Sequence, residues 1–143
     1  MGRGSVTDRP ILLDTHAALW LADTDRLSEA AIAALDFAQE DDVAVLLSPI
    51  SAWELGLLVS KGRVAITAQP EPWLDALIDD GLGWAPLTPH VLVSASFLPG
   101  NLHGDPADRI LAATARAFDY RLMTRDRALL AYAAAGHLKA IAC

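Results

Sequence analysis

Cysteine is nearly missing from this chain. The one thiol is Cys143, so no internal disulfide framework and no cysteine-based zinc site can form. No run of about 18 apolar residues is present to span a bilayer. The polar start Met-Gly-Arg-Gly-Ser-Val-Thr-Asp-Arg, followed by an apolar run broken at Asp14 and His16, is not a secretory signal. No glycine loop follows Leu13, which argues against dinucleotide and P-loop nucleotide binding. The four histidines lack metal-ligand spacing and read as hydrogen-bonding or surface residues. Aromatics are sparse at 6%, so Trp53 and Trp73 read as packing anchors rather than a base-stacking series. Basic charge is scarce too. Net charge is −7, and residues 1–108 carry 5 basic against 16 acidic side chains, whereas residues 109–143 carry 6 against 2. A uniformly basic nucleic-acid coat is excluded, and contact with a polyanion must be local or pass through a bound cation. The expectation is a cytoplasmic protein with no membrane association.

What is present describes one globular unit. With 143 residues, 53% hydrophobic and 20% charged, the chain can bury a core of its own. Residues 1–9 read as a loose leader and residues 10–143 as a single domain. Strand-length apolar runs occur at residues 11–13, 43–47, 120–123 and 138–142, with a weaker one at 84–87, where Pro86 demotes it to an edge. Helix formers fill residues 29–40, 50–60, 107–118 and 128–135. Ser28, Ser48-Pro49 and Asp105-Pro106 provide caps and first-position prolines. Strand–helix alternation predicts an α/β fold, a three-layer sandwich with a mainly parallel five-stranded sheet.

In open α/β sheets, chemistry collects beyond the carboxyl ends of the strands, and acids occupy those positions here. Asp14 follows the first strand, where capping the next helix is its simplest role. Glu54 shares a helix face with Ile50, Leu57 and Leu58, and a carboxylate in an apolar stripe must be paired, protonated or bound to a cation. In His103-Gly-Asp-Pro-Ala-Asp-Arg109, Asp105 is the natural N-cap, while Asp108 falls in the first turn free of that duty, above the small Ala112 and Ala115. Asp126 follows another strand, preceded by Thr124, which either orients a neighbouring carboxylate or ends the strand. Acids that converge raise one another's pKa unless a cation neutralises them. Oxygen-only ligation suits Mg²⁺ or Mn²⁺, and the reaction that most naturally fits is hydrolysis of a phosphodiester.

Four segments in order then carry a resemblance: Leu12-Leu13-Asp14-Thr15-His16, Ser48 to Leu55, His103 to Ala113, and Thr124-Arg125-Asp126. The chain resembles PIN-domain ribonucleases of the VapC type, toxins of type II toxin–antitoxin systems. The resemblance implies a parallel five-stranded sheet and a carboxylate quartet of Asp14, Glu54, Asp108 and Asp126. It also implies Mg²⁺- or Mn²⁺-dependent endoribonuclease activity on a structured RNA, a homodimer, and inhibition by a cognate antitoxin. Two positions depart from the subgroup's pattern: Ala107 stands where relatives often carry a bulky aromatic, and Gly104 follows the histidine. On this reading Asp14 and Asp108 hold the metal, Glu54 and Asp126 hold its waters, and Asp105 fixes the helix entry and can join the shell. Arg109, Arg116, Arg125 and Arg127, with Thr124, are the expected substrate contacts. The alternatives are a catalytically silent PIN-like module that binds RNA or protein, and an aspartyl-phosphate phosphotransfer enzyme. The latter would want a second acid two residues after Asp14, where His16 stands.

Overall fold

A computed structural model describes residues 6–66 and 68–143. Five strands, β1 (Ile11–Leu13), β2 (Val45–Leu47), β3 (Gly83–Trp84), β4 (Arg121–Thr124) and β5 (Lys139–Ala142), form one sheet in the order β3-β2-β1-β4-β5. Every pairing is parallel. Seven α-helices stand among the described residues: α1 (Thr15–Trp20), α2 (Glu29–Glu40), α3 (Pro49–Ser60), α4 (Pro70–Asp79), α5 (Pro89–Ser94), α6 (Pro106–Phe118) and α7 (Arg127–Ala134).

The alternation of side chains along β1 explains the three layers. Ile11 and Leu13 face one core with Leu47, Met123 and residues of α1, α2 and α4. Leu12 faces the other, with Leu122, Leu111, Ala112 and Ala115 of α6, and Leu129 and Tyr132 of α7. A strand covered on both sides has no polar face to show, which is why Ile-Leu-Leu is wholly apolar. The small Ala112 and Ala115 are buried where α6 lies close on the sheet.

Capping serines and aspartates stand where the sequence placed them. Ser28 accepts from the Ala31 N–H, Ser48 from Ile50, and Asp105 from Ala107 and Asp108. β3 is an edge strand as expected, but it ends at Trp84, because Pro86 has no N–H to offer a ladder. Val43 and Ala44 precede β2 rather than open it. Residues 1–5 of the expected leader lie outside the described residues. Beyond them, Val6–Asp8 forms a short 3₁₀ turn tied to the sheet by Arg121, a buried guanidinium that donates to the Thr7 and Arg9 carbonyls. No helix among the described residues is long and apolar enough to cross a membrane.

Candidate active site

The strand order changes direction between β1 and β4, whose neighbours run outward to opposite edges. The carboxyl ends of those two strands therefore open a crevice, the usual place for a ligand in this architecture. Asp14 leaves β1 there and Asp126 leaves β4. Together with Thr15, His16, Trp20, Glu54, Asp105, Asp108 and Arg125 they line one cleft of about 340 Å³. All five acids singled out from the sequence thus face a common space.

Each carboxylate is held by its own local structure. Asp14 caps α1 by accepting from the Ala17 N–H at 2.9 Å, and its other oxygen accepts from the Thr124 hydroxyl at 2.6 Å. Thr124 in turn accepts from the Asp126 N–H at 3.0 Å, so one buried hydroxyl couples the two strand-end acids. Asp126 caps α7 through the Leu129 N–H. Glu54 accepts from the Thr15 hydroxyl at 2.5 Å, and Thr15 and Ser51 are hydrogen-bonded at 2.9 Å. The apolar-stripe argument is met by this donor. Asp105 gives one oxygen to the start of α6, as a cap should.

Burial and the neighbouring acids act on two of these carboxyls. Burial pushes the Asp14 carboxyl up, against the Thr124 and Ala17 donors that favour its charge. Asp108 is raised from 3.8 to about 7, first by burial and then by Asp105, Asp126, Glu54 and Asp14. Cys143 is buried nearby, and burial pushes its thiol up to about 11, which leaves it protonated and inert at neutral pH.

The ligand atoms of His103, Asp108 and Asp126 lie within 4.8 Å of one another. His103 faces two of the acids through one ring nitrogen. Its Nδ1 accepts from the Asp105 N–H at 3.1 Å, which in a neutral ring leaves the proton on Nε2. That nitrogen faces Asp108 at 3.3 Å and Asp126 at 3.7 Å. The five carboxylates of the cleft offer a cation a set of oxygen donors, the chemistry that fits Mg²⁺ or Mn²⁺. His103 had been read as a hydrogen-bonding residue. Its contact with the acid pair became visible only once the loop before α6 was placed.

The expected substrate contacts divide. Arg125 lines the cleft, its guanidinium 4.1 Å over the Trp20 ring and bonded to the carbonyls of Arg26 and Cys143. Arg127 is exposed in the first turn of α7. The other three expected contacts stand outside the lining of the cleft. Arg109 is spent on the carbonyls of Ala95 and Leu102, where it staples the chain ahead of α6. Arg116 lies two turns along α6 and donates to the His137 carbonyl, away from the acids. Thr124 is fully buried and orients Asp14 instead of meeting substrate. Trp53, expected to anchor packing, is 54% exposed.

A doubly covered parallel sheet with a carboxylate cluster at its switch point is a recognisable class. The PIN domain family model matches residues 11–135, and the chain belongs to the PIN domain family. Ribonuclease VapC22 of Mycobacterium tuberculosis (strain ATCC 25618 / H37Rv) is 39% identical over 120 residues, 83% of this chain and 88% of that protein. Among solved structures, VapBC2 from Rickettsia felis, bound to a DNA fragment from their promoter, aligns with a TM-score of 0.67 at 17% identity, over 93% of this chain and 98% of that one. FitAB bound to an IR36 DNA fragment aligns at 0.56 and 22% identity, over 92% and 94%. At such identities the structural likeness speaks to the fold.

Proposed function

We propose that this chain is a divalent-metal-dependent endoribonuclease and the toxin of a toxin–antitoxin pair. The observation that carries the reading is the convergence of five carboxylates on one cleft, two of them driven toward protonation by burial and by neighbouring acids. The relative named as a ribonuclease supports the reaction class, and the VapBC and FitAB neighbours support an antitoxin as partner. A structured RNA is the proposed substrate, the homodimer the proposed assembly, and the cytoplasm the proposed location.

Asp14 and Asp108 would hold Mg²⁺ or Mn²⁺, with Glu54 and Asp126 directed to its waters and Asp105 at the helix entry. When bound, such an ion polarises a phosphoryl oxygen and acidifies water. The chain's own part is orientation and proton transfer. Thr124 fixes Asp14, Thr15 fixes Glu54, and one of Glu54 and Asp126 accepts the proton of the attacking water. Arg125 and Arg127 neutralise substrate phosphates.

Purified chain free of antitoxin, given a mixed RNA pool with Mn²⁺ or Mg²⁺, is expected to cleave it. EDTA and Asp14→Asn should each abolish cleavage while the circular dichroism spectrum stays native. Cleavage that survives in EDTA would overturn the metal assignment. Intact RNA under every metal condition would favour the silent binding module.

A further inference from the structure

The cleft does not end at the carboxylates. His16 and Trp20 line it on one side and, on the other, line a second groove of about 530 Å³ between α1, the segment after α3, and α4. That volume is within the ordinary range for ligand sites. Its chemistry is opposite to that of the cleft. Arg26, Arg63 and Trp73 line it with one acid, Asp23, and residues 64–66 form part of its wall. Arg63 is exposed and makes no ion pair among the described residues. Arg26 pairs only with Asp23, at 3.4 Å with both side chains more than half exposed, so its charge remains available. In a chain of net charge −7, two arginines against the single acid Asp23 give this groove a local cationic excess, with Trp20 and Trp73 beside it, and it adjoins the acidic cleft at His16 and Trp20.

Guanidinium groups beside an indole face are what single-stranded nucleic acid uses: phosphates meet the cations and bases stack on the ring. His16 and Trp20, which line both, are the residues a single strand leaving the cleft would pass to reach the groove. We propose that the groove binds the single-stranded RNA flank next to the scissile phosphate, with Arg26 and Arg63 on backbone phosphates and Trp73 under a base. The proposal rests on the nuclease reading of the cleft.

The test is fluorescence anisotropy with a labelled eight-nucleotide RNA of mixed sequence, in an Asp14→Asn background so that the probe survives. The paired change Arg26→Ala with Arg63→Ala touches only exposed side chains. It should flatten the slope of log K against log salt by about 1.4, at roughly 0.7 for each phosphate released from a single strand. Trp73→Ala should weaken binding by at least about fivefold, and Trp73→Phe, which keeps a ring against the core, by less. An unchanged slope and affinity in the double arginine variant would overturn the proposal. So would normal RNA binding with loss of inhibition by the antitoxin, which would assign the groove to a peptide. Wild-type cleavage with Mn²⁺, run in parallel, separates the two ideas. Cleavage with an unchanged slope defeats the groove alone. A flattened slope without any wild-type cleavage upholds the groove as an RNA site and defeats the nuclease reading.

Discussion

Asp108 and Asp119 stand at the two ends of one helix, α6, and their carboxyls are driven in opposite directions. At the amino end of the sheet, Asp119 accepts from Lys139 at 2.5 Å and pairs with Arg9 at 3.1 Å. The Lys139 hydrogen bond, more than any other influence, holds its carboxyl below the usual range. At the carboxyl end, Asp108 lies in the first turn of α6, where the helix field favours a negative charge by typically ~0.3–1 kcal/mol. That field loses, because burial and four neighbouring acids carry Asp108 to about 7. One end of the molecule gives its acid two cations. The other assembles acids around a space and leaves Arg125 turned onto Trp20 and two carbonyls. An arrangement so costly to ionise is what a bound divalent cation would relieve.

Thr124→Val breaks the carboxyl end most sharply. It keeps the shape of the β4 terminus but removes the donor to Asp14 and the acceptor of the Asp126 N–H. Cleavage should fall by roughly 10- to 100-fold, as for groups that orient a metal ligand. Denaturant titration should record a loss of about 1–3 kcal/mol from the orphaned buried groups.

Titration of the metal-free protein comes next. Asp108 rises from 3.8 to about 7 on folding, so between those values the folded chain holds a proton that the unfolded chain releases. Stability contributed at this residue is therefore lost as pH climbs through that window, in the sense set by proton linkage. Asp108→Asn, which cannot ionise, should flatten the decline and raise Tm in EDTA at pH 8 by about 3 °C or more. A Tm unchanged by the substitution would show that the acids do not strain one another. The smallest effect belongs to the other end. Asp119→Asn loses two exposed ion pairs and should alter neither cleavage nor Tm measurably.

Much of this contrast was written in local sequence. Asp14 and Asp126 were legible as strand-end acids because β1 and β4 are short apolar runs followed at once by capping positions. The helices at residues 29–40 and 106–118 were legible through Ser28, Asp105 and Pro106. Glu54 was legible as an acid in an apolar face, although its partner Thr15, 39 positions away, was not. α4 and α5 were missed as helices, although Pro70 and Pro89 open them. The partners of the arginines were not legible, for a physical reason. Charge and spacing give a helix face but not the carbonyls a guanidinium will reach, and Arg109 and Arg116 were claimed by loops remote in sequence. The groove beside Trp20 was invisible for the same cause, since its walls come from three separated segments.

Calorimetric titration of Mn²⁺ into the wild-type chain and into Asp108→Asn puts the cation cage to proof without relying on any RNA. Saturable binding by the wild type, proton release as Asp108 ionises, and both signals lost in the variant are the predicted result. Equal binding by the two proteins, or none by either, would contradict the assignment of the cleft as a metal centre.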